Sequence, residues 1–305
     1  MRFPTAILEG KKLPRVILSI TPPASQGVQE ILPLMRKAYE MDAWCLDLPS
    51  GRHHQLFKEL RRLIEEETLI GLPHIGAEEG ASLSGIPLHR FEKKVSATIT
   101  RNLFSPDLIR NLKEMGAWKG PYFFSAAHSS EVLTQKEIDR ISFDFSRFDR
   151  ILSLFDPSTS PFLFIGGRYG DWLLGLGRPD LLKDMLSRMR GQGFIPILTG
   201  HWATFFLPKA KSLDAGAYAV PINKRMSFFD LPQACDLVKK FDKPVMSLNS
   251  LEGKELTASP EEALSFLFND LKISLAIAEV SSEEELQRLL KAVEKIPSLR
   301  PPRRA

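Results

Sequence analysis

Short apolar runs alternate with longer stretches of helical spacing along almost the whole chain. Residues 16–20, 43–48 and 68–72 read as strands, with amphipathic helices over 29–39 and through Phe57, Leu60 and Leu63 between them. Further on, strands at 162–165, 195–199, 217–222, 244–248 and 273–278 are interleaved with helices at 179–190, 231–241, 260–268 and 283–294. Strands alternating with helices imply parallel strands joined by crossover helices. About eight such units in a chain of 305 residues predict a (β/α)8 TIM barrel, of the α/β class, rather than an open sheet. Helix starts are marked locally. Ser282 precedes Glu283, Glu284 and Glu285, and Ser259-Pro260-Glu261-Glu262 joins a cap, a proline at the first helical position and two acids.

The rhythm breaks between about residues 77 and 160, where helical stretches at 88–103, 106–115 and 138–154 replace the single crossover expected. This section is read as an inserted helical lobe over one end of the barrel, within a single domain spanning 1–305. Its edges carry no linker-like composition. The chain closes on an Arg/Pro tail, 298–305.

Composition narrows the class. A chain that is 43% hydrophobic and 26% charged is globular, and its length buries most of its apolar surface without staples. Its two cysteines, Cys45 and Cys235, are far from any CxxC spacing and read as thiols in a reducing compartment. Of the formal charge of +4, three units are the arginines at 300, 303 and 304, leaving +1 for the body. That balance argues against nucleic acid as a partner. No signal pattern opens the sequence and no apolar run approaches roughly 18 residues, so no membrane partner and a cytoplasmic location are expected. Oligomeric state is not legible.

Barrel enzymes gather their reactive groups at the C-terminal ends of the strands. Those ends are Asp47, His74, Arg168, His201, Asn223, Asn249 and Glu279. Asp47 closes an apolar strand, either facing the mouth or salt-bridged inside the barrel. His74 and His201 are candidates for acid/base work, against a structural, hydrogen-bonded role for each. The string Gly166-Gly167-Arg168-Tyr169-Gly170-Asp171 is unusual: its glycines allow close backbone approach, Arg168 suits an anion and Tyr169 is a candidate proton donor. Arg52 is a candidate anion clamp, paired with Asp47 or with a substrate carboxylate. Asn223 and Asn249 are candidate substrate-binding amides. No HxH or HExxH spacing occurs, so no metal site is assigned, although Asp47, His74, His201 and Glu279 form a dispersed N/O set that leaves metal open.

Several segments carry a resemblance. MRFPTAILEGKKLPRVILSI at 1–20, LMRKAYEMDAWCLD at 34–47, HQLFKEL at 54–60, FDKPVMSLNSLEG at 241–253 and ISLAIAEVSSEEELQ at 273–287 resemble the aldo-keto reductase superfamily, as do Gly200-His201 and Pro221-Ile222-Asn223. The resemblance implies an N-terminal β-hairpin plug formed by 1–20, with the barrel starting at Ala43. It implies a nicotinamide-dependent oxidoreductase on a small carbonyl or alcohol, with NADP or NAD as cofactor and Ser281 and Ser282 near its phosphate. The family's tetrad is Asp, Tyr, Lys and His. Asp47 matches the first, but Arg52, His74 and Gly166 or Gly167 fall where the other three belong. Arginine stays protonated and cannot donate that proton. The expectation is therefore a non-standard site rebuilt around Asp47, His74 and Tyr169. Two alternatives stand beside it. One is a nicotinamide-independent lyase, isomerase or hydrolase using Asp47 and His74 or His201 on an anionic substrate. The other is a non-catalytic binding barrel.

Overall fold

The structure, a computed structural model, describes residues 3–21, 30–65, 68–76, 80–103, 131–224, 231–251 and 259–296. The helix expected over 106–115 and the tail 298–305 lie outside the described residues.

Eight parallel strands close into a barrel. In order around it they are β3 (Val16–Ile20), β4 (Cys45–Leu48), β5 (Ile70–Ile75), β9 (Phe162–Gly166), β10 (Ile195–Thr199), β11 (Ala217–Pro221), β12 (Val245–Leu248) and β13 (Leu275–Val280), which pairs back to β3. Most strand residues are buried, as befits strands covered by helices outside and by side chains within. Alternation selects the inward set: Ile17, Cys45, Leu72, Phe164, Ile197 and Ile277 belong to one interior core. A two-stranded antiparallel hairpin, β1 (Thr5–Leu8) and β2 (Lys11–Pro14), sends Ala6, Leu8 and Leu13 into that same core. It therefore plugs the N-terminal end, where Arg190 also holds Glu9 at 2.7 Å.

The plug is shorter than the sequence suggests. Val16–Ile20 is the first barrel strand, so the barrel begins there and not at Ala43. Arg15 makes the division: its guanidinium is buried, donates to the Ile273 carbonyl at 3.0 Å and lies 4.2 Å from the Phe268 ring centroid. β5 also runs three residues beyond the expected strand, which places His74 within the ladder.

Between β5 and β9 the lobe holds more than helices. A small antiparallel sheet of β6 (Ala81–Leu83), β7 (Ile86–Pro87) and β8 (Ile141–Phe143) accompanies the helices Glu92–Leu103, Gln135–Asp139 and Phe145–Leu152. Helix Glu92–Leu103 packs on helix Arg168–Gly175, where a Cβ on Gly175 would meet Ile99 at 2.7 Å. Among the described residues no helix is long and apolar enough to cross a membrane.

His54, on helix Gly51–Ile64, is buried with its ring edge-on to Phe155 at 4.8 Å. Burial, and then the Lys58 charge, hold its pKa below the ordinary value near 6.5. A lowered histidine pKa favours the neutral form in the fold. Its stability contribution is full above the unfolded pKa and is lost as pH falls through the folded one. The melting temperature is expected to fall between pH 7 and pH 5, and less steeply in His54→Leu. Parallel slopes for the two proteins would refute this role.

Candidate active site

Glu279, Ser19 and Asp47 stand side by side where β13, β3 and β4 open at the C-terminal end of the barrel. Asp47 is only 4% exposed. An ionised carboxylate there can only accept, and both oxygens do: the Ser19 hydroxyl donates to Oδ2 at 2.8 Å and His74 Nε2 to Oδ1 at 2.6 Å. Beneath it, burial and then the Asp47 charge push the Cys45 thiol pKa well up, so the floor of the site is a neutral thiol among apolar side chains. His74 is 31% exposed, with its ring 4.3 Å from that of Phe164 on β9. With Nε2 committed to Asp47, Nδ1 is the nitrogen turned away from the carboxylate. The chain Ser19–Asp47–His74 thus runs from the buried wall to the mouth.

A second imidazole–carboxylate pair lies two strands away. Asp171, fully buried on helix Arg168–Gly175, accepts from the backbone N–H of His201 at 2.9 Å and faces its Nδ1 at 3.2 Å. Gly166 and Gly167, with φ of +114° and +61°, turn the chain out of β9 into this helix. Gly167 donates its N–H to the Thr199 carbonyl at 3.0 Å, tying the turn to β10.

The other expected residues fall elsewhere. Arg52 is exposed in the first turn of its helix and makes no ion pair with Asp47, whose oxygens Ser19 and His74 take. Its neighbours part company: His53 Nε2 bonds the Ile20 carbonyl at 2.9 Å while His54 faces the core. Arg168 pairs with Glu92 of the lobe at 3.4 Å. Tyr169 is buried, 2% exposed, with its ring 5.0 Å from Trp172, which sets it in helix packing and not at the mouth. Asn223 donates to the Asn249 carbonyl at 2.9 Å, clipping the ends of β11 and β12 together. Ser281 donates its N–H and its hydroxyl to Glu285 at 2.8 and 2.7 Å, and Ser282 caps the helix Glu283–Val293. Among the described residues no group of three or more His, Cys, Asp or Glu side chains is gathered as a metal requires, so the dispersed set of Asp47, His74, His201 and Glu279 is not assembled.

Two partners in the site go beyond what the sequence pattern singles out. The resemblance puts Ser19 in the hairpin, and the pattern leaves Asp171 as one more residue of the glycine string. The signal for Ser19 is its spacing of two from Ile17 on an apolar strand.

These features define an eight-stranded α/β barrel with a hairpin plug and an imidazole–carboxylate pair at its C-terminal mouth. The fold is that of the aldo-keto reductases. A thermostable aldo-keto reductase solved with the inhibitor epalrestat is similar over 96% of this chain and 95% of its own, at a TM-score of 0.51 and 13% identity. The holo form of an aldo-keto reductase from Bacillus halodurans is similar over 98% of this chain and 93% of its own, at 0.57 and 9%. No protein-family model and no curated protein matches the sequence.

Proposed function

We propose that the protein is an oxidoreductase that interconverts a small carbonyl compound and its alcohol, with His74 as the acid/base and Asp47 behind it. The observation that carries the reading is the 2.6 Å bond from the half-exposed His74 ring to the buried Asp47 carboxylate. Reduction of a carbonyl needs one proton on oxygen. Imidazolium at His74 donates it from Nδ1, and in the reverse direction the neutral ring takes it from the alcohol. Asp47 orients the ring and stabilises its charged form. Ser19 occupies the second carboxylate oxygen, which keeps Asp47 an acceptor. Arg52 has no part in the proton transfer.

The likeness in fold to aldo-keto reductases supports a nicotinamide as partner, and such a cofactor supplies or removes the hydride when bound. The serine turn supports one kind over the other. Glu285 already takes the donors of Ser281, and Glu283 and Glu284 stand beside it, which opposes a 2′-phosphate more than a plain ribose. A plain ribose suits the turn, because its hydroxyls donate and carboxylates accept. Titration with NADH and NADPH, followed by reduced-nicotinamide fluorescence and melting temperature, tests the reading. NADH is expected to bind, adding about 2.7 kcal/mol of stability at a hundredfold excess over Kd, with NADPH at least tenfold weaker. Binding of neither at millimolar concentration overturns the redox reading.

A further inference from the structure

The second imidazole–carboxylate pair is not needed for the one proton that carbonyl reduction consumes. Its position gives it another use. β9 pairs with β5 on one side and with β10 on the other, so His74 and the loop carrying His201 flank the glycine end of β9. Neighbouring strands are about 4.8 Å apart, which separates those two strand ends by roughly 10 Å of backbone. One ring lies on β9 and the other on the turn that follows it. His74 lies on Phe164, and Cε1 of His201 is 3.6 Å from where a Cβ on Gly167 would stand. That is ordinary van der Waals distance, so the ring lies directly over the turn that follows β9. Asp171 is 0% exposed, whereas the His201 side chain is 45% exposed, so the carboxylate anchors the ring from below while the ring meets solvent at the mouth. The anchor is double, through both backbone N–H and Nδ1. Arg168, three residues before Asp171, is turned to Glu92.

We infer that the substrate carries an acidic group next to its carbonyl, making it a 2-oxo acid or the corresponding 2-hydroxy acid. His201 binds the carboxylate and His74 exchanges the proton with the adjacent oxygen. This inference rests on the function proposed above and deepens it. An imidazolium N–H donating to a carboxylate is a charge-assisted bond, about twice as strong as a neutral one. It also fixes the direction of the carbonyl relative to His74. Asp171 is a positioning residue in this scheme, acting only through His201.

The test uses full-length protein carrying 13C-labelled histidine, with NAD+ present so that no reduction occurs. It is titrated with 2-oxobutanoate and, separately, with the uncharged ketone 2-butanone. Imidazole Cε1–H signals are assigned through His74→Gln and His201→Gln. The expected result is that 2-oxobutanoate moves both signals along one saturation curve, while 2-butanone binds at least tenfold more weakly and moves only the His74 signal. His201→Gln is expected to weaken 2-oxobutanoate about tenfold and leave 2-butanone unchanged. Equal affinity for the two compounds with a silent His201 overturns this inference and leaves the proposed function standing. Movement of His201 without His74 overturns the shared site. A silent His74 and a silent His201 with both compounds overturn the proposed function, and the inference with it.

Discussion

Asp47→Asn is expected to lower kcat by about a thousandfold while leaving the protein folded. The substitution preserves shape and removes charge. The introduced amide would still accept from His74 through its oxygen, and its N–H2 would turn the Ser19 hydroxyl from donor to acceptor, so the buried hydrogen bonds survive. What is lost is the carboxylate that stabilises the imidazolium. His74→Gln should cost a similar factor, because glutamine cannot exchange the proton. The double variant should be little worse than either single one, since the two residues act as a unit. Arg52→Gln, exposed and unpaired with Asp47, is expected to cost less than tenfold. Steady-state kinetics with NADH and a small 2-oxo acid or aldehyde, alongside melting temperatures, make the comparison. Undiminished turnover in Asp47→Asn would remove the pair from the chemistry. Multiplicative losses in the double variant would mean that His74 and Asp47 act separately.

Asp47 and His74 are legible in the sequence because a polar residue closing an apolar strand has few reasons to be there. The barrel itself is legible from the alternation of apolar runs with amphipathic helices. What escapes depends on contacts that sequence distance hides. The pattern isolates 16–20 as a strand, but the resemblance assigns all of 1–20 to the plug, and the burial of Arg15 against the Ile273 carbonyl marks where plug gives way to barrel. That misplacement takes Ser19 out of the site, although Ser19 and Asp47 are in register on neighbouring strands. Asp171 reads only as the end of the glycine string, and folding alone sets it against His201, thirty residues on. Tyr169 follows two glycines and an arginine, a context that suggests exposure. Its helix is instead buried on nearly every side, by β9, by its neighbouring barrel helices and by the lobe, with Ile99 seated at Gly175. The sheet of β6, β7 and β8 is made of strands of two or three residues, too short to show a period of two.

The largest loss of stability is expected from Gly166→Ala. At φ +114° an L side chain is strained wherever it stands, and here there is no room either. The new Cβ would lie 2.5 Å from the Thr199 carbonyl oxygen, 3.2 Å from its amide nitrogen and 3.3 Å from Leu198 Cδ1. The first two atoms are backbone of β10 and cannot swing aside without opening the ladder between β9 and β10. The same carbonyl accepts from Gly167, whose N–H also donates to the Thr199 hydroxyl, so relief of the clash disturbs the bonds that hold the turn. Strain, displacement and the disturbed bonds together should cost about 3–5 kcal/mol, a large part of a typical domain's 5–15 kcal/mol. Gly177→Ala is the control: its φ is +73° with nothing within 4 Å, so it should cost only about 1 kcal/mol. Urea unfolding of the two variants beside the parent separates crowding from strain. Equal midpoints would mean that β9 and β10 yield easily at this turn. A large difference, accompanied by movement of the His201 signal in Gly166→Ala, would show that the close approach of the two strands also holds the second imidazole at the mouth.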